Sequence, residues 1–173
     1  MEVKGNKLYW AKVKPNAIIP IKEKENAGYD IYSCFNDDYI IIRPLHTKLI
    51  PTGIACAVRD SYYLQVQERG STGSIGMKYG SGVIDSGYRG EIFVTITNTN
   101  EVPIMIVREA DRNMTEIYDI INETNAIVYP YEKAIAQLVV HRVLDMEEQE
   151  ISYEELKSIP SKRGDGMLGS SGK

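Results

Sequence analysis

Two cysteines and two histidines are all the soft and imidazole ligands that the 173 residues contain. Cys34 and Cys56 lack metal-type spacing, and two distant thiols make no disulfide framework, so both read as reduced and structural. His46 and His141 lie far apart in apolar, strand-like surroundings, which argues against zinc or triad chemistry built on histidine. Positive charge is also short, with 20 Lys and Arg against 24 Asp and Glu and a net charge of −4. Duplex nucleic acid and anionic membranes both need clustered cations, so neither is the expected partner; a small anion needs only local ones. No apolar run reaches transmembrane length, and the opening stretch MEVKGNKLYWAKVK has no signal-peptide core, which makes the cytoplasm the expected compartment. Internal repeats, low-complexity tracts and the Gly-Lys-Ser/Thr of a P-loop are missing as well.

What is present suits a single domain over residues 1–173 with its own core, since 43 % of the residues are hydrophobic. The first hundred residues read as short strands separated by turn chemistry, the pattern of a sandwich or barrel. Strands are expected at 7–13, at 39–42 and 47–50 around Arg43-Pro44-Leu45, at 62–67 and at 90–97. In the last of these Ile92, Val94 and Ile96 share one face and Phe93, Thr95 and Thr97 the other, so the isoleucine-rich face is expected inward. Met114, Ile117, Ile120 and Ile121 recur at helical spacing, and Asn113 with Glu116 resembles a capping box, predicting one short helix over 114–123. The acidic stretch LDMEEQEISYEEL after Arg142 and Val143 reads as a solvated face or extended connector.

Three glycine-bearing segments stand out: ERGSTGSIGMKYGSG at 68–82, GVIDSGYRGEI at 82–92 and RGDGMLGSSG at 163–172. Arg beside Gly and Ser, in the first and third, offers backbone N–H groups, hydroxyls and a guanidinium to a polyphosphate. Taken one at a time, each also reads as a turn. Asp85 lies between apolar Ile84 and the turn residues Ser86 and Gly87, a place for a turn-initiating Asp or for a carboxylate that deprotonates water, with Tyr88 beside it to pack on a sugar. With histidine set aside, oxygen ligands must do any metal work, which favours Mg²⁺ bound through polyphosphate and water.

In order along the chain, AGYDI (27–31), RGST (69–72), GVIDSGYRGEI (82–92), KAIAQLV (133–139) and RGDGMLGSSG (163–172) resemble the five motifs of the trimeric dUTPase family. The resemblance implies an all-β, jelly-roll-like β-barrel subunit and a homotrimer whose active sites are shared between subunits, the C-terminal arm at 160–173 closing over nucleotide. It implies hydrolysis of dUTP to dUMP and pyrophosphate by water attack on the α-phosphorus with Mg²⁺, limiting uracil in DNA and supplying dUMP for dTMP synthesis. Asp85 would be the base, Tyr88 the ring beneath deoxyribose, and backbone at Val83 and Ile84 the reader of uracil. Arg69, Gly70 and Ser71 would bind phosphates, with Arg163, Gly169, Ser170 and Ser171 from the arm and Leu168 over the base. Asp30 and Gln137 would act on Mg²⁺ through its water shell.

Four departures from the family pattern stand in the sequence. Gly70 precedes Ser71 where Arg-Ser-Gly is usual, and Glu132, Lys133 and Ala134 stand in place of Gly-Asp-Arg. Leu168 replaces an aromatic and Met167 a glycine in the last motif. The fourth is extra length, placed at about 103–127, which resembles bacteriophage and prophage members, some of which bind repressor proteins. A regulatory protein that captures a repressor-type partner through this insertion is therefore the rival reading, against a plain surface elaboration, and a bacterial or phage-infected cytoplasm is the implied setting. The related dCTP deaminases carry a His-containing stretch and a Trp after the Asp, and 76–91 has neither.

Overall fold

β-branched and tyrosine residues alternate with polar ones over short runs, and such runs are stable only when several pair and bury one face. The computed structural model describes residues 3–80, 82–108 and 114–166. Its first half carries β1 (Tyr9–Lys12), β2 (Gly28–Ile31), β3 (Tyr39–Ile42), β4 (Thr47–Pro51), β5 (Ile54–Ala57), β6 (Tyr62–Gln67), the single turn α1 (Gly70–Gly73), β7 (Met77–Tyr79) and β8 (Val83–Ile84). The second half carries β9 (Phe93–Asn98), β10 (Ile104–Val107), α2 (Met114–Thr124), β11 (Ile127–Pro130), β12 (Ala136–Arg142) and α3 (Tyr153–Ser158). Among the described residues these strands form four hydrogen-bonded sheets, ordered β1-β5, β11-β10-β3, β2-β12-β6-β8 and β4-β9-β7. The fold is all-β as expected, with no barrel closed by continuous hydrogen bonding.

One core joins the three larger sheets: Ile31 of β2, Ile42 of β3, Ile50 of β4, Leu64 of β6, Ile96 of β9, Ile104 of β10 and Leu138 of β12 belong to a single buried cluster. Each such side chain contributes roughly 1.5–3 kcal/mol by leaving water, so the packed faces rather than the short ladders hold the sheets together. Ile92, Val94 and Ile96 are fully buried while Phe93 remains 40 % exposed, the facing expected from their alternation. The strand itself begins at Phe93 rather than Gly90.

The helix over Met114–Thr124 covers the predicted segment; the proposed cap Asn113 lies outside the described residues. Ile117 is buried against Met105 and Val107, with Ile120 and Ile121 at the edge of that cluster, whereas Met114 turns outward. The reason for this helix is topological: β10 and β11 run parallel, and a parallel pair needs a long crossover where a hairpin needs two residues. β10, buried at all four positions and also paired with β3, belongs to the core. Within the expected insertion at 103–127, Ile104–Val107 is thus a core strand; after it, the described residues outside the sheets are Arg108 and 114–126.

Two helices were not expected. α1 follows β6 directly. α3 lies inside the acidic stretch, where Ser152 Oγ accepts from Glu155 N at 3.2 Å and Ser152 N donates to the Glu155 carboxylate at 2.8 Å. The Ser152 hydroxyl, which donates to the same carboxylate at 2.7 Å, and then Ser152 N favour its charged form and lower its pKa. The chain divides into two compact units, up to Val143 and from Leu144 onward, the second taking in the acidic connector as well as the expected arm. Among the described residues no helix is long and apolar enough to cross a membrane.

Candidate active site

Strand pairing brings three of the sequence-selected polar residues together. β12 lies between β2 and β6, with Gln137 directly opposite Asp30 on one side and Gln67 on the other. Arg69, two residues past Gln67 and just ahead of α1, turns back over this edge. Its Nε lies 2.9 Å from Asp30 Oδ1, and its Nη2 donates to Asp30 Oδ2 at 3.2 Å, a two-point pair whose side chains are both about 30 % exposed. Nη1 donates to the Ala134 carbonyl at 3.2 Å and lies 3.4 Å from Ser71 Oγ. The turn that sets this geometry is fastened by buried Thr72, whose hydroxyl accepts from Arg69 N and donates to Arg69 O, both at 3.1 Å. Gly70 and Ser71 sit on α1 with exposed surfaces, available to an anion arriving from solvent.

Gln137 Nε2 donates to the Glu68 carbonyl at 2.8 Å. Its side chain lies across Gly28, where a Cβ would stand 2.6 Å from Gln137 Oε1 and 2.9 Å from Gln137 Cβ. Glycine at 28 is required by that close approach. Asp30 and Gln137 thus present oxygen on one edge of one sheet. Among the described residues no three His, Cys, Asp or Glu side chains gather around a point, so the protein atoms here do not cage a metal. The donor set fits a hard divalent cation that arrives with phosphate and water oxygens of its own.

The second group lies on the β8 hairpin. Asp85 follows Ile84, and Tyr88 N donates to Asp85 O at 3.1 Å, closing a turn through Ser86 and Gly87. Leu49, Val83, Ile84, Asp85, Tyr88, Glu91, Ile92 and Phe93 border a cleft of about 210 Å³, in which apolar side chains surround Asp85, Glu91 and the Tyr88 phenol. Val83 is 59 % and Tyr88 44 % exposed, and the Asp85 carboxylate is exposed, with no side-chain partner among the described residues. The hairpin is braced from behind. Tyr88 Oη donates to Glu91 O at 2.9 Å, while the Glu91 carboxylate accepts from Gly53 N at 2.8 Å and lies 3.4 Å from Lys14 Nζ. Gly53 has φ of +66°, the left-handed region open to glycine, which turns its N–H toward Glu91. A larger cleft of about 620 Å³ lies on the far side of the turn against Lys4, Arg59 and Arg89, but neither Asp85 nor Tyr88 lines it.

The fold does not bring the two groups together within one chain. Ile84 pairs with Leu64 and Val83 with Gln65, while Gln137 pairs with Gln67, so Asp85 lies about four strand positions beyond the Gln137 level and two strands away. At about 3.3 Å per residue and 4.8 Å per strand, that separation is on the order of 15 Å. Arg163 belongs to the other unit, where its N lies 3.3 Å from Ser161 Oγ. Leu168, Gly169, Ser170 and Ser171 lie outside the described residues.

Several participants carried no sequence signal. Glu91 reads as part of a turn until its carboxylate is seen on Gly53. Tyr129 reads as one more core residue between Val128 and Pro130, yet its hydroxyl donates to Ala134 O at 2.7 Å, beside Arg69. Tyr79 donates to the neighbouring Ile135 carbonyl, and burial pushes its pKa up to about 12. His46 is exposed, with Nδ1 2.7 Å from Pro44 O, and His141 stacks on Tyr63 with ring centroids 5.1 Å apart; neither touches the two groups.

Comparison with known proteins gives these groups a family. The dUTPase family model matches residues 14–112. The deoxyuridine 5'-triphosphate nucleotidohydrolase of Nautilia profundicola is 33 % identical over 174 residues, covering 96 % of this chain and 99 % of that one. The enzyme of the same name from Mycobacterium marinum is 30 % identical, covering 97 % and 96 %. Among solved structures, the Staphylococcus bacteriophage 80alpha dUTPase with dUPNHPP superposes with a TM-score of 0.72 at 26 % identity, over 98 % of this chain and 100 % of that one. With Asp30, Arg69 and Asp85 inside the matched region and similarity running through the rest of the chain, the protein belongs to the dUTPase family.

Proposed function

We infer that this chain hydrolyses dUTP to dUMP and pyrophosphate, with the phosphate-facing groups of one subunit and the Asp85 hairpin of another serving one substrate. The observation that carries the shared site is the distance between the two groups. A base that activates water must lie within hydrogen-bond reach of that water, itself in line with the α-phosphorus, while the phosphate ligands touch oxygens only a few ångströms further on. Within one chain Asp85 is too far from Arg69 for that. A homotrimer places the exposed Val83–Tyr88 edge of one copy against the Arg69 edge of the next and removes the difficulty.

Asp85 takes a proton from water as its oxygen bonds to the α-phosphorus; the bond to the α,β-bridging oxygen breaks, and pyrophosphate leaves with that electron pair. Tyr88 packs under deoxyribose, held by the Glu91 carbonyl at a height that leaves no room for a 2′-hydroxyl. Backbone at Val83 and Ile84 reads uracil's polar edge. A 5-methyl is excluded by the braced hairpin, because a yielding apolar pocket discriminates one methyl by only about 1–3 kcal/mol. Arg69, Gly70 and Ser71 take phosphate oxygens, and Asp30 and Gln137 orient the water shell of Mg²⁺, which when bound neutralises triphosphate charge. Arg163, Gly169, Ser170 and Ser171 of the arm would add phosphate contacts, with Leu168 over the base by dispersion.

A panel of dUTP, dTTP, dCTP and UTP, assayed for pyrophosphate with Mg²⁺ and with EDTA, tests this. Release from dUTP alone, abolished by EDTA, is expected; a pure assembled protein that leaves dUTP intact overturns it. The segment at about 103–127 is read as phage-type, and its helix turns Tyr118, 54 % exposed, to solvent. Dutpases of phage 80alpha are described as controlling transfer of virulence genes. A protein partner for this helix is the second reading.

A further inference from the structure

The crossover that makes this chain long ends on the phosphate-facing group. β11 is the parallel neighbour of β10, and its buried Tyr129, 4 % exposed, reaches out of the core to the start of β12. There the Ala134 carbonyl accepts two hydrogen bonds, from Tyr129 Oη at 2.7 Å and from Arg69 Nη1 at 3.2 Å. A carbonyl oxygen has two lone pairs, so with Tyr129 on one the guanidinium is confined to the other. Asp30 takes the Nε side of Arg69, which leaves the guanidinium little freedom to rotate. Ala134 itself stands where the resembling motif carries arginine, so among the described residues the guanidinium at this carbonyl is that of Arg69. Burial pushes the Tyr129 pKa up, with Arg69 and Ser71 opposing it, so the phenol remains a proton donor throughout the neutral range.

We propose that Tyr129 is a positioning residue for the triphosphate: by sharing the Ala134 carbonyl with Arg69 it fixes the guanidinium where phosphate oxygens arrive. This rests on the dUTPase reading and deepens it. It also gives the inserted crossover a task in the site itself, because β11 cannot lie parallel to β10 without the α2 connection, and Tyr129 rides on β11. Substrates lacking the β- and γ-phosphates are indifferent to it, since their remaining contacts lie on the Asp85 hairpin.

The experiment titrates wild type and Tyr129→Phe, as full-length assembled proteins, with a non-hydrolysable α,β-imido analogue of dUTP and separately with dUMP. Tyr129→Phe keeps the ring and the packing. Affinity for the analogue is expected to fall about fivefold, the worth of one ordinary hydrogen bond, with dUMP affinity held. Tyr62→Phe serves as the second variant: it removes a phenol that donates to Asn6 Oδ1 at 3.1 Å at the other end of β6 from Arg69, and should spare the analogue. Equal losses for analogue and dUMP, no loss for either, or an equal loss in Tyr62→Phe would overturn the role of Tyr129. Wild-type turnover of dUTP is scored apart, so an inactive wild type counts against the reaction, and an unselective Tyr129→Phe against the residue.

Discussion

The Arg69 edge and the Asp85 hairpin hold the polar residues of one family and are built in opposite ways. At the Arg69 edge the functional groups hold one another: guanidinium on carboxylate, amide on carbonyl, phenol and guanidinium on one carbonyl oxygen, over a fully buried Thr72. At the hairpin the functional groups face solvent, and the bracing lies behind them in Glu91, Gly53 and Lys14. The difference teaches which half is finished in one chain. The Arg69 edge is already organised within one chain; the Asp85 hairpin is a braced rim open to solvent, which on the proposed function awaits a second surface.

Breaking the comparison at the hairpin should have the largest effect. Asp85→Asn is expected to lower kcat by about 10²–10⁴, the usual worth of a positioned base, with affinity for the imido analogue unchanged because no folded contact is lost. Steady-state turnover beside calorimetric binding checks it, and an unaltered kcat would place the base elsewhere. At the Arg69 edge both function and fold should suffer: Arg69→Ala should weaken triphosphate binding roughly 30-fold, the scale of a charged hydrogen-bond donor. It should also lower the melting temperature, since it strips Asp30 of its partner and Ala134 O of one donor. A melting temperature unchanged in Arg69→Ala would show that the edge is less interlocked than its geometry.

The smallest effect lies behind the hairpin, at Cys56. Burial pushes this thiol up to about 11 from an ordinary 9, against a lowering by the charge of Arg89 on the same turn. An acid whose pKa is raised on folding stabilises the fold fully below its unfolded pKa and loses that contribution as pH climbs to the folded one. Stability should therefore decline between about pH 9 and 11 through this group, and Cys56→Ala should flatten the decline in thermal melts across that window.

Much of the sheet was legible because its strands alternate cleanly: 39–42 and 62–67 match their strands, and Ile92, Val94 and Ile96 face inward as read. The helix at 114–124 was legible from its spacing. α3 was missed although Ser152 and Glu155 spell a capping box, because the surrounding acids suggested solvated chain. A four-residue buried strand such as β10 shows no period that separates it from any other apolar run, so its place in the core was not legible. At the site, the proximity of Asp30, Arg69 and Gln137 follows from strand pairing that sequence spacing does not encode. The roles of Tyr129 and Glu91 depend on which carbonyl or N–H lies opposite, and that is fixed only by register.

The missing side chain at position 28 makes two distant sites answer for each other through descent. While glutamine stands at 137, any residue larger than glycine at 28 collides with it, and a smaller residue at 137 gives up the amide that braces Glu68. Shortening 137 alone does not open the pair: the Oε1 contact goes, but the 2.9 Å approach to the Cβ at 137 remains for every residue except glycine. Lineages that keep the glutamine are bound to keep the glycine.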